Sequence, residues 1–160
     1  LLLDTDTFVS GDINELFDMM SQFDIGASAV ANSEMIRSAD VPESFPEYNT
    51  GVVVFNKNNR TREFLSEWKD MYRTHTEENV RVNQPSFREV LYRSDLRVAT
   101  LPTEYNCRVK FGGYLTKRVK ILHGDVSDPE AKLEKLNKYE IPRLFTTRAG
   151  RTRVNRIETI

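Results

Sequence analysis

Val52-Val53-Val54, held between Gly51 and Phe55, is the densest β-forming run in the chain and constrains the fold more than any other stretch. Asn56 to Arg60 then reads as a turn. Arg60 to His75 carries the apolar period of a helix, with Phe64, Leu65, Trp68, Met71 and Tyr72 on one face. Trp68 belongs to that stripe and is read as core rather than as a stacking platform for a sugar. The same alternation recurs along the chain. Residues 1–9 read as a buried strand and its end, Asn14 to Met20 as a short helix after a Gly11-Asp12 turn, and Asp24 to Ala31 as a strand. Ser38 to Asn49, with Pro42 and Pro46, reads as a loop. Asn83-Gln84-Pro85 opens a helix through Tyr92, with Pro85 in the first turn where its missing N–H costs nothing. Arg97 to Leu101 is strand-like, Val119 to Leu122 is a short strand running into His123-Gly124-Asp125, and Asp128-Pro129-Glu130 starts a last helix with Leu133, Leu136 and Tyr139 inward. Strands alternating with helices predict an α/β fold.

At 160 residues and 39% hydrophobic, the chain is expected to bury one core. A net charge of −1 gives no push toward nucleic acid. The charge is unevenly spread: the first fifty residues contain one base, Arg37, whereas the chain from Arg108 onward is rich in Lys and Arg. That division fits an acidic metal-binding end and a basic end for anions such as phosphates, or simply a solvated surface of mixed sign. The single cysteine, Cys107, excludes an internal disulfide, suits a reducing and hence cytoplasmic setting, and reads as a small buried residue rather than a nucleophile. No apolar run reaches the roughly 20 residues of a membrane span. A strand at the very first position, without a preceding Met, suggests that the natural chain starts upstream. The polar, Arg-rich tail from Thr146 is expected to be loose.

Leu1-Leu2-Leu3-Asp4-Thr5-Asp6 runs three apolar residues into two carboxylates one position apart. Residues two apart on a strand point to one side, so both acids can converge on one cation. Such acids at a strand end repel each other unless a positive charge offsets them. The alternative is a solvated loop in which Asp6 caps a turn. Ligands of α/β sheets bind beyond the carboxyl ends of strands, where Asp4, Asp6 and His123 are all predicted to lie.

Four pieces then stand in order: Leu-Asp-Thr-Asp-Thr-Phe-Val at 3–9, Tyr-Asn-Thr-Gly-Val-Val-Val-Phe-Asn at 48–56, Asn-Gln-Pro-Ser-Phe at 83–87 and Lys-Ile-Leu-His-Gly at 120–124. Together they resemble the GT-A nucleotide-diphospho-sugar glycosyltransferases, most closely the retaining family of glycogenin and the lipopolysaccharide galactosyltransferases. The resemblance covers about residues 1–125. It implies a GT-A-like mixed sheet flanked by helices, catalytic over 1–145 and followed by the tail at 146–160. It implies transfer of a sugar from a nucleotide diphosphate, a UDP-sugar foremost, to an unknown acceptor, with retention. It also implies Asp4, Asp6 and His123 as ligands of Mn²⁺ or Mg²⁺, the imidazole favouring Mn²⁺. Asn49, Thr50 and Gly51 would line the donor sugar, Gln84 would lie near the anomeric carbon beside Asn83, and Gly124 would let backbone approach the phosphates. Asn83-Gln84 as a plain helix cap, and His123 as an ordinary strand-end histidine, are the simpler readings.

The departures from the family pattern are specific. Asn83 stands where the family carries Asp, and the late Lys-Pro-Trp is absent, which leaves Lys117, Arg118 or Lys120 as candidate phosphate cations. The nucleotide-binding half that precedes the Asp-Xaa-Asp in the family does not precede it here, so a partial domain is expected. Two other functions compete. A haloacid-dehalogenase-type phosphatase would use Asp4 as nucleophile and Asp6 as acid/base, with Asp125 and Asp128 as a late acidic motif, but Phe8 stands where it needs Thr or Val. A truncated, non-catalytic binding domain is the other. His75, near a helix C-terminus, reads as a surface residue offsetting the helix dipole.

Overall fold

The structure is a computed structural model that describes residues 1–30, 40–124 and 126–157. Ala31, Ser38 and Asp125, which the sequence placed in a strand end, a loop and a late acidic motif, lie outside the described residues. In chain order the elements are β1 (Leu2–Leu3), β2 (Thr7–Val9), α1 (Glu15–Asp18), β3 (Ile25–Ala29), β4 (Tyr48–Phe55), α2 (Asn59–Glu77), α3 (Gln84–Arg93), β5 (Val98–Thr100), β6 (Cys107–Arg108), β7 (Gly113–Leu115), β8 (Ile121–His123), α4 (Pro129–Leu136), β9 (Arg143–Arg148) and β10 (Arg151–Arg156). The chain is α/β with mixed sheets, as the alternation predicts. Where length predicts one core, two compact units form, one of Leu1–Leu2 with Asn14–Thr100 and one of Leu3–Ile13 with Leu101–Ile160.

The first unit is a four-stranded sheet in the order β1-β4-β3-β5, with β3 antiparallel to β4 and parallel to β5. Helix α2 starts where Asn58 and Thr61 cap each other reciprocally, the Asn58 Oδ1 accepting from the Thr61 N–H at 2.9 Å. Its apolar stripe meets α3 and the sheet: Phe64, Trp68, Phe87, Val90 and Leu91 pack with Ile25, Ala27 and Val53. Trp68 and Phe87 meet edge to face with centroids 4.9 Å apart, the geometry that aromatic quadrupoles favour. Leu65, expected on the same stripe, is exposed. Asp24 is fully buried. Its carboxylate accepts from the Asn58 amide and the Arg97 N–H, each at 2.9 Å, and pairs with Arg60 at 3.2 Å. One charge thereby ties the start of α2 to the chain entering β5. His75 is not the surface residue expected: its Nε2 lies 3.2 Å from the Glu89 carboxylate, with both side chains largely buried.

The second unit holds two three-stranded sheets, β2-β8-β6 and β10-β9-β7, among the described residues. Cys107, Val109, Leu115, Val119, Leu122, Leu133, Leu136 and Phe145 form its core, and burial pushes the Cys107 thiol up to about 12, so it packs as the apolar residue expected. Asp128 caps α4 by accepting from the Ala131 N–H. Arg143 is fully buried and donates to the Leu136 carbonyl at 2.6 Å, an open carbonyl at the C-terminal end of α4, and to the Lys117 carbonyl at 2.7 Å. Two expectations fail here. Residues 1–9 are not one buried strand: Leu1 and Leu3 are exposed, and a turn at Thr5-Asp6 separates β1 from β2. The described part of the tail, Thr146 to Arg156, is not loose. It closes the β9–β10 hairpin, in which Thr152 is buried.

Candidate functional site

The turn that breaks the first strand builds the site. The Asp4 carbonyl accepts from both the Thr7 N–H at 3.1 Å and the Thr7 hydroxyl at 2.7 Å, bending residues 4–7 back on themselves. Strand β2 then pairs antiparallel with β8 so that Thr7 faces His123, while β6 on the other side brings Arg108 level with the same histidine. The Gly124 N–H donates to the Asp6 carbonyl at 3.1 Å, fastening the end of β8 to the acidic turn. Gly124 adopts φ +109°, and a Cβ there would meet nothing within 4 Å. Backbone conformation, not crowding, therefore asks for glycine at this position.

This places Asp4, Asp6 and His123 together. The His123 Nε2 is 3.6 Å from the Asp4 carboxylate and 3.5 Å from that of Asp6, and one donor atom from each residue lies within 4.8 Å of the others. Donors bound to one small divalent ion at about 2.1–2.3 Å are separated by roughly 3–4.5 Å, so this set can close on a cation. The imidazole is buried and the carboxylates are half exposed. On its other side His123 Nδ1 lies 2.7 Å from the Asn106 Oδ1. An amide oxygen only accepts, so Nδ1 carries the proton and Nε2 turns a lone pair toward two carboxylates. Burial holds the imidazole below its ordinary titration range, with Arg108 adding to the effect and Asp6 and Asp4 opposing it. A neutral imidazole and two carboxylates are three electron-pair donors facing one point, which is a ligand set for a hard or borderline cation.

A cavity of about 780 Å³ opens beside this cluster, with Asp6, His123 and Gly124 in its wall. Its cations are Arg108, Lys110, Lys132 and Lys135. The sequence candidates Lys117, Arg118 and Lys120 are not in this wall, and Arg118 pairs with Glu140 at 2.9 Å. The Arg108 guanidinium lies 4.0 Å over the Phe111 ring, which holds it at the rim. Asp128 also lines this wall, and its carboxylate caps α4 by accepting from the Ala131 N–H.

The remaining predicted residues gather in the first unit. Ala27 pairs with Val53 but Ser28 pairs with Asn49, so Thr50, Gly51 and Val52 bulge from the ladder. The Asn49 Oδ1 accepts from the Gly51 N–H at 3.1 Å, and the Thr50 hydroxyl donates to the Asn83 Oδ1 at 2.7 Å. Asn83 occupies the cap position of α3 without capping it. Its carbonyl accepts from the Trp68 indole at 3.2 Å, so the core residue Trp68 also positions this corner. The Gln84 amide donates to the Tyr48 carbonyl at 3.4 Å. Sequence reasoning missed Ser28, whose buried hydroxyl has no hydrogen-bond partner among the described residues and which lies opposite Asn49 at the bulge. It also missed Asn106 and Arg108. A polar Asn106 beside buried Cys107 was the signal available for the first of these.

The sequence model described as glycosyl transferase family 8 matches residues 1–127, a span that contains all four motif pieces. No curated protein matches the chain. The family match leaves the phosphatase alternative without support.

Proposed function

The chain belongs to glycosyl transferase family 8, and from that premise we propose that it transfers a sugar from a nucleotide-diphosphate donor, a UDP-sugar foremost, to a glycosyl acceptor, using a divalent cation held by Asp4, Asp6 and His123. Its mixed α/β architecture is GT-A-like. The observation that carries the metal assignment is the convergence of two carboxylates and an imidazole whose Nε2 lone pair is aimed by Asn106. When bound, the cation supplies Lewis-acid neutralisation of the diphosphate as the sugar leaves. The imidazole in the set favours Mn²⁺ over Mg²⁺.

This chain's own residues do the rest of the work. Asp6 contributes negative charge to the cavity wall with Asp4 clustered beside it, and Arg108, Lys110, Lys132 and Lys135 present positive charge along the wall to a diphosphate. Asn49, Thr50 and Gly51 are assigned to the donor sugar, with Asn83 and Gln84 beside the reacting carbon. That assignment rests on the family pattern. The Thr50–Asn83 and Asn49–Gly51 hydrogen bonds support it by fixing these groups before any ligand arrives. No side chain is assigned as a covalent nucleophile, so departure and attack on one face of the sugar, with retention, is the mechanism proposed.

Calorimetric titration of Mn²⁺ into the protein, with and without uridine and guanosine diphosphate sugars, tests the reading. Wild type should bind the ion and then the uridine series. Asp4→Ala, whose carboxylate is half exposed, should lose both responses and the metal-dependent turnover while keeping its fold. Unchanged metal dependence in that variant would reject the assignment.

A further inference from the structure

The outer face of the β7-β9-β10 sheet carries a cluster of arginines that the sugar-transfer reading leaves unused. The register aligns Tyr114 with Leu144 and Asn155 in one row, Thr146 with Arg153 in the next, and Arg148 with Arg151 at the hairpin end. Directly paired residues share a face, and all seven side chains are exposed. The opposite face is the buried one, with Phe145 in the core. Arg148 and Arg151 are therefore like charges directly across a ladder, an arrangement that weakens a hairpin. Among the described residues neither they nor Arg153 has an acidic partner, although Arg118 and Arg93 elsewhere do. Tyr114 and Leu144 leave 46% and 47% of their surface open on the same face.

We propose that this face docks on an anionic phospholipid surface. Fixed arginines held on a strand pair suit phosphate groups, which accept from guanidinium forks. The apolar row beside them decides between kinds of polyanion. A soluble anionic polymer offers Leu144 nothing, whereas a lipid interface gives Leu144 and the ring of Tyr114 an apolar layer beneath the headgroups. The attraction is electrostatic in origin and falls off within a Debye length, so it weakens as salt rises. It draws on residues that take no part in the metal cluster or its cavity wall, so the docking and the sugar transfer can fail separately.

Sedimentation of the full chain with phosphatidylcholine vesicles, with and without phosphatidylglycerol, tests this. The protein should pellet only with the anionic vesicles and should be released by salt. The triple variant R148Q/R151Q/R153Q should lose roughly a hundredfold in partitioning, from about one basic-residue contribution each. Its thermal melt should stay at or above that of wild type, because a like-charge pair is removed. Leu144→Ser should weaken vesicle binding and leave retention on heparin unchanged. No sedimentation with anionic vesicles, equal binding by the triple variant, or binding to heparin that Leu144→Ser weakens to the same degree would each overturn the proposal.

Discussion

His123 and Asn106 meet through a 2.7 Å contact between Nδ1 and Oδ1, both residues buried, and that contact decides which imidazole nitrogen faces Asp4 and Asp6. Ligating histidines are commonly oriented this way by a second residue, and loss of that residue weakens metal binding by roughly 10- to 100-fold. Asn106→Ala should show a loss of that size for Mn²⁺ in calorimetry. Asn106→Asp, which still accepts from Nδ1–H, should retain binding. Equal affinity of Asn106→Ala and wild type would mean that the imidazole is not a ligand.

Thr50 and Asn83 form the corresponding contact in the first unit. Thr50 is buried, so deleting its acceptor strands a hydroxyl, at a cost of about 1–3 kcal/mol. Asn83→Ala should lose stability in that range by urea titration. Asn83→Asp preserves an acceptor and should not. If both variants are equally stable, the hydrogen bond contributes nothing to the fold of the corner.

Acid should act through Asp24. Burial alone raises its carboxyl, but the Arg97 N–H, the Asn58 amide, the Arg97 side chain and Arg60 bring it below the ordinary 3.8. The folded chain thus holds this proton less tightly than the unfolded one, and stability is lost as pH falls through the unfolded value toward the folded one. Asp24→Asn should be less stable at neutral pH and lose less on acidification below about pH 5. Parallel stability–pH curves for the two proteins would contradict the pairing.

The hairpin turn between β9 and β10 places Ala149 at φ +50° and Gly150 at φ +73°. Both values belong to a turn that favours Asn-Gly, and an alanine in the left-handed region is strained by about 1 kcal/mol. Ala149→Asn should raise the stability of the hairpin by roughly 0.5–1 kcal/mol, read as an upward shift in melting temperature. A downward shift would show that the turn is of another type.

Local signals explain which parts of the fold were legible. Asn58 ahead of α2 with Thr61 in its first turn, Pro85 in α3, and Asp128-Pro129 at α4 mark helix starts through short-range hydrogen bonding and fixed φ, so those helices form close to where they are predicted. The tail was misread because its partner was invisible. Thr146 to Arg156 is polar and looks unable to fold, but Phe145, Thr152 and Val154 face α4 and the core, which supplies the burial that composition does not reveal. The first strand was misread for the opposite reason. Leu1 to Leu3 looks like buried sheet, yet the turn at Asp4–Thr7 ends it.

The amino-acid order alone determined the family's motif pieces and their order, two aspartates, an Asn-Thr-Gly on a strong strand, an Asn-Gln opening a helix and a late His-Gly, because these are local patterns read along one strand or turn. Tertiary structure decided how they are used. Strand β2 lies about a hundred positions from β6 and β8 in the chain, and only their pairing brings Asp4, Asp6, Asn106, Arg108 and His123 together. Contacts at that separation depend on which strand ends up beside which, and no window of neighbouring residues carries that information.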